Sequence, residues 1–175
     1  MTITYSIDST SLLFLLASDQ LVALSERFDA RFGIQPAVQR RYLEPLWLEE
    51  RHASLKTSFD QLRELKRVFL EESSSSPEQI WQLTKHLDTS TSVLISSAAE
   101  AGNVLVTDDV KALRVAQVHH PNVRLITGLF LLREWFAEAS LSETVQTDIV
   151  RAVSSWFLPL PSHPEYLWCK TLLLR

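Results

Sequence analysis

A chain of 175 residues that is 46% hydrophobic carries enough apolar material for one folded domain with a small appendage, which excludes a disordered chain. Its formal charge of −4 argues against a generally basic nucleic-acid binder, though not against an acidic metal site with basic groups around it. A single cysteine, Cys169, excludes an intrachain disulfide framework, and the three glycines, Gly33, Gly102 and Gly128, leave no glycine-rich phosphate loop.

Ile3, Tyr5 and Ile7 alternate with Thr4 and Ser6, the period of a strand, and the run stops at Asp8. The stretch "STSLLFLLA" then offers hydroxyl caps and a dense apolar block, the pattern of a helix. From Ser18 onward Leu21, Leu24, Phe28 and Phe32 share one helical face, which Gly33 is placed to end. Ile34 to Val38 predicts a short strand limited by Pro36. Residues 38–72 read as one or two long polar helices, with Leu55, Phe59, Leu62, Leu65 and Phe69 at spacings of three and four. Glu72 to Gln79, "ESSSSPEQ", reads as a loop, and Pro77 suits the first turn of the next helix.

Val93 to Gly102 predicts a helix of small residues, and "NVLVT" after it a strand buried on both faces, as in a parallel sheet. Val110 to Val118 predicts a helix, Asn122 to Thr127 a strand and Leu129 to Ala139 a helix, with His119 and His120 in a loop. In the tail, Val145, Ile149, Val153 and Trp156 form one apolar stripe, followed by Trp168 and Leu172 to Leu174. Trp47, Trp81 and Trp135 are expected in the core or at an interface. The longest apolar run, Leu12 to Ala17, is far short of the roughly 20 residues of a membrane span. With no signal-peptide pattern and one thiol, a cytoplasmic location away from membranes is expected.

Alternating strands and helices predict an α/β fold with a short parallel sheet, whose ligands sit at the carboxyl ends of the strands. Asp8 and Asp109, the latter closing "VLVTDD", both occupy such ends. Each is either a helix N-cap or one wall of a shared acidic site.

The order "YSIDSTSLL", then "HLDTSTSVLISSAAEAGNVLVTDDVKALRVAQ", then "VRLITGLFLL" resembles the PIN-like domain family, related to the toxin ribonucleases of bacterial toxin–antitoxin pairs. The resemblance covers roughly residues 3–139, giving a PIN-like domain over 1–140 and a C-terminal helical extension over 141–175, packed on the domain or at an interface. It implies a three-layer fold, a short parallel sheet flanked by helices, and a Mg²⁺- or Mn²⁺-dependent endoribonuclease site. Asp8 and Asp109 match the family's catalytic and metal-holding acids, and Thr10 and Thr107 match its site-lining hydroxyls. The family's helix-borne carboxylate falls on Thr91, and a further acid falls near Arg40, with Glu44 the nearest carboxylate.

A third metal ligand could come from Glu44, Asp88 or Asp108. Each also has a plainer reading: Glu44 on a solvated helix face, Asp88 as a cap or loop residue, Asp108 as a cap or solvent-facing group. If Thr107 or Asp108 caps the following helix, Asp109 is freed to face the crevice. Arg40 and Arg41 belong to a solvated mixed-charge face or contact phosphate. Glu49 and His52 lack the second pair of a transition-metal site. The alternative to a ribonuclease is a degenerate module that binds a partner protein or RNA, in which Arg40 takes the cation's place beside Asp8 or Asp109. A protein partner or a homodimer is expected in either case.

Overall fold

The alternation at the start of the chain becomes the central strand of a sheet. In the computed structural model, which describes residues 2–72 and 75–174, the strands are β1 (Ile3–Ile7), β2 (Ala30–Ile34), β3 (Val68–Leu70), β4 (Val104–Val106) and β5 (Leu125–Ile126). All are parallel, in the order β3-β2-β1-β4-β5. Tyr5 lies level with Phe32 and Val104, so the side chains of one pleat align across three strands, and Tyr5 stacks on Phe32 at 5.5 Å.

That pleat, with Ile7, Ile34, Val68 and Val106, faces the larger core. Helices α1 (Ser9–Ala17), α2 (Leu21–Arg27), α5 (Ala53–Glu64) and α9 (Gly128–Glu138) cover it, joined by α10 (Glu143–Ser154) and α11 (Tyr166–Leu173) from the tail. On the opposite pleat Leu105 joins a smaller core with Leu83, Leu94, Ile95, Ala98 and Ala116. These come from α6 (Pro77–Thr84), α7 (Thr89–Ala101) and α8 (Val110–His119). The result is three layers, helices on both faces of a parallel sheet.

Several boundaries differ from the sequence expectation. Helix α2 ends at Arg27, not at Gly33, because Asp29 takes a left-handed φ of 46° and turns the chain into β2. Thr2 and Arg67 fix that turn by donating to the Asp29 carboxylate at 2.9 and 2.7 Å. Phe28 and Phe32 therefore lie on different elements. Gly33 sits inside β2, where a Cβ would stand 3.0 Å from Glu71 Oε2. The strand expected over Ile34 to Val38 ends at Ile34, and Pro36 opens α3 (Pro36–Val38).

Residues 38–72 are not long helices. A π-helical segment (Gln39–Leu43), α4 (Glu44–Leu46) and a 3₁₀ turn (Glu50–His52) precede α5, and β3 follows Lys66, whose φ is 56°. Leu65 is consequently exposed and Phe69 lies on β3. Helix α7 starts at Thr89, earlier than expected, and ends on left-handed Gly102. Of the loop expected over Glu72 to Gln79, Ser73 and Ser74 lie outside the described residues, as do Met1 and Arg175.

The tail packs back onto the larger core: Ile149, Val150, Val153, Cys169 and Leu172 are buried there, and Trp156 and Trp168 rest against it. Trp47 and Trp135 also pack on this core, whereas Trp81 is 60% exposed. Among the described residues no helix is long and apolar enough to cross a membrane.

Candidate acidic site

Strands β1 and β4 are neighbours, so their carboxyl ends deliver Asp8 and the Thr107-Asp108-Asp109 turn to the same edge of the sheet. The Asp8 amide still donates to Val106 O at 3.1 Å, which prolongs the sheet by one residue. Its extended backbone then turns into α1, and Oδ1 caps that helix by accepting from Ser11 N at 2.7 Å. Burial pushes the Asp8 carboxyl up to about 6, from an ordinary 3.8. Hydrogen bonds from Thr107 and Ser11 oppose that rise, and the negative charge of Asp108 adds to it.

The two consecutive acids go opposite ways. Asp108 is buried, neither a helix cap for α8 nor solvent-facing, contrary to the expectation for it. Its Oδ2 accepts from Ser11 Oγ at 2.7 Å and Gly128 N at 2.8 Å, and Oδ1 accepts from Leu129 N at 3.2 Å. The charge thus sits on the N-terminus of α9, where free amides and the helix dipole favour it. His163 Nε2 lies 3.1 Å from Oδ1. Because His163 Nδ1 accepts from Glu165 N at 3.0 Å, the ring hydrogen is on Nε2 and is donated to Asp108.

Asp109 is exposed and caps α8 itself, Oδ1 accepting from Lys111 N at 2.7 Å and Ala112 N at 3.2 Å. Neither Thr107 nor Asp108 releases it from that duty, contrary to expectation. Thr107 instead accepts from Asp109 N at 3.2 Å. Asp88 caps α7 through both oxygens, accepting from Thr91 N at 3.0 Å and Thr91 Oγ1 at 2.6 Å. Partial burial pushes the Asp88 acid up, but these bonds outweigh it and hold it below the usual carboxylate range.

Asp8, Thr10, Asp88, Thr91, Thr107 and Asp109 line one crevice of about 250 Å³. A neighbouring cavity of about 520 Å³ shares Asp8, Thr10 and Asp109 and is also lined by Phe157, Leu160 and His163 of the tail. Glu44, Arg40 and Arg41 line neither cavity. Glu44 is exposed on α4 and accepts from Gln39 Nε2 at 3.1 Å, and both arginines are exposed on the π-helical segment. Among the described residues no ion pair joins Arg40 to Asp8 or Asp109, so Arg40 does not take a cation's place.

Sequence reasoning missed Ser11 and His163, which complete the Asp108 hub, and Tyr42, Lys111 and Arg114, which line the two cavities. Lys111 and Arg114 follow the Asp109 cap at spacings of two and five and were open to detection; His163 lies 55 positions from its partner and carries no local signal.

A hard divalent ion needs several oxygen ligands free to converge. Among the described residues no three His, Cys, Asp or Glu side chains are arranged to hold a metal ion. Asp8, Asp88 and Asp109 each give at least one oxygen to a helix amide, and four hydrogen bonds surround Asp108. As arranged here, these acids serve helix ends and the Asp108 hub and form no three-ligand cluster among the described residues.

No family model and no curated protein sequence matches the chain. Two solved structures are similar. VapBC2 from Rickettsia felis, described as bound to a DNA fragment from their promoter, aligns with a TM-score of 0.52 at 15% identity, covering 71% of this chain and 98% of that one. PAE2754 from Pyrobaculum aerophilum aligns with a TM-score of 0.48 at 18% identity, covering 76% of this chain and 97% of that one. The parallel five-stranded sheet between helical layers, with the first of these likenesses, makes the fold of this chain PIN-like.

Proposed function

We propose that this protein is a PIN-like module that has lost the metal-dependent ribonuclease chemistry of its fold relatives and acts in the cytoplasm by binding a partner protein. The observation that carries this reading is the commitment of the acidic residues. Asp8, Asp88 and Asp109 are helix caps, Asp108 is a buried hub, and the position of the family's helix-borne acid holds Thr91, whose hydroxyl is spent on Asp88. A protein partner is favoured over RNA by the rim of the larger cavity, where Leu158 and Leu160 are 63% and 70% exposed.

Calorimetric titration with MgCl₂ and MnCl₂ to millimolar levels tests the loss of the metal, and incubation with RNA and Mn²⁺ tests the loss of cleavage. No saturable heat and no cleavage are expected. Saturable Mn²⁺ binding, with RNA cleavage that disappears in Asp8→Asn and Asp109→Asn, overturns the proposal.

That outcome would establish a second reading, a retained Mg²⁺- or Mn²⁺-dependent endoribonuclease. It is favoured by one observation: Asp8, Asp88 and Asp109 share a single crevice at the strand ends. Light scattering distinguishes a homodimer from a separate protein partner, and unlabelled RNA as competitor reveals whether RNA occupies the same surface.

A further inference from the structure

On the pleat opposite the larger core, the β3 side of the sheet is polar. Glu71 extends β3, its amide donating to Ile34 O at 2.9 Å, and its side chain is only 5% exposed. Oε1 accepts from Ser6 Oγ at 2.7 Å and Asn103 Nδ2 at 2.8 Å, and the same Asn103 nitrogen donates to Ser6 Oγ at 3.1 Å. The triangle fixes the carboxylate across Gly33, where a Cβ would stand 3.0 Å from both Oε2 and Phe69 Cζ. Oε2 is buried with no hydrogen-bond partner among the described residues, and so is Ser97 Oγ, on a side chain 4% exposed.

Both side chains line a cavity of about 500 Å³ together with Phe69, Glu72, Glu100 and Ala101. No Lys, Arg or His is among its described lining residues. Arg31 lies 4.8 Å from the centre of the Phe69 ring, but its Nε donates to Lys66 O at 3.2 Å and it does not line the cavity. An unmade hydrogen bond to a buried carboxylate oxygen is costly, and the natural complement is a charged N–H donor.

We propose that this cavity binds a primary alkylammonium group, with Glu71 Oε2 as the anchoring acceptor. An ammonium carries three donors, enough for Oε2 and the Ser97 hydroxyl, and its alkyl stem matches the Phe69 and Ala101 walls. Phe69, half-buried on an edge strand, is the ring that turns to admit the group and then offers its face to the charge. A metal ion is the poorer match, since no three-ligand cluster of His, Cys, Asp or Glu exists among the described residues. Desolvation pushes the Glu71 acid up, against the pull of Ser6 and Asn103, so the bound cation also relieves a charge held in a dry place. The cavity shares no lining residue with the acidic crevice, and the two proposals stand or fall separately.

The test is titration of the full-length protein with n-butylammonium to about 10 mM, a concentration suited to a millimolar site, followed by amide chemical shifts. Saturable shifts at Gly33, Ser97 and Asn103 are expected, with affinity at least about tenfold lower in Glu71→Gln. No saturable shift, or equal affinity in a folded Glu71→Gln, overturns the site. Should Glu71→Gln fail to fold, 1-butanol titrated into the unmodified protein decides: shifts equal to those of n-butylammonium overturn a charge-selective site, and their absence upholds it. N-acetyl-lysine N-methylamide then separates the two sources of such a group. Tighter binding than n-butylammonium identifies a lysine side chain of a protein, and weaker binding identifies a free amine; both support the site.

Discussion

Asp8 holds its proton more tightly in the folded chain than an ordinary carboxyl does. With its folded value raised from 3.8 to about 6, its contribution to stability is fully present below the lower value and is lost as pH rises through the upper one. Asn serves as well as Asp at an N-cap, so Asp8→Asn keeps the bond to Ser11 N and removes the buried charge. The variant is expected to be more stable by about 1–3 kcal/mol near pH 8, with the gain vanishing by about pH 4; urea denaturation across that range measures it. A second expectation concerns Gly128, where a Cβ would lie 2.6 Å from Phe14 Cζ and 2.8 Å from Asp108 Oδ2. Gly128→Ala should cost about 1–3 kcal/mol in the same experiment, because neither neighbour is free to move. Asp8 and Asp109 were legible in the sequence because a strand, an acid and a hydroxyl-rich or apolar helix follow one another directly. That Asp108 rather than Asp109 turns inward was not legible: the choice is made by amides 20 and 21 positions away and a ring 55 positions away.

The elements that were misread share a cause. β3 has three residues between charged flanks and so shows no period, while the π-helical segment and the 3₁₀ turn break the spacing on which a helix is recognised. β2 was hidden because Phe32, Gly33 and Ile34 are buried in succession, without the alternation that marks a strand, and Asp29 supplied the turn normally marked by glycine. The tail stripe was legible, but its partner was not, since an amphipathic helix does not announce what it covers. Ile149, Val150 and Val153 of α10 and Leu172 of α11 are buried in the larger core, and α10 packs on α1. Each large apolar side chain contributes about 1.5–3 kcal/mol on burial. Truncation after Ala139 is therefore expected to give an insoluble chain without a cooperative melt; a soluble, cooperatively folding fragment would show that the tail is an attachment and not part of the core.

Across the whole molecule the two helical layers are unequal. One layer gathers most of the buried apolar residues, while the other rests on Leu83, Leu94, Ile95, Ala98, Leu105 and Ala116. Helix α6 contributes only Leu83 as a fully buried side chain, and Trp81 beside it faces solvent. Local opening follows the density of buried contacts. Amide hydrogen exchange is thus expected to be fastest, among the longer elements, in α6, and slowest in β1 and β4; protection of α6 equal to that of β1 would contradict the asymmetry.

The Asp108 hub also sets an order of events during synthesis. Ser11 leaves the ribosome first, the acid follows 97 residues later, and His163 emerges a further 55 residues on. Until then a nascent polypeptide that closes its sheet encloses a carboxylate lacking one donor, an arrangement that disfavours early closure. The hub is consequently complete only after His163 has emerged, and ribosome-bound chains stopped before residue 163 should remain open to proteases that the released protein resists.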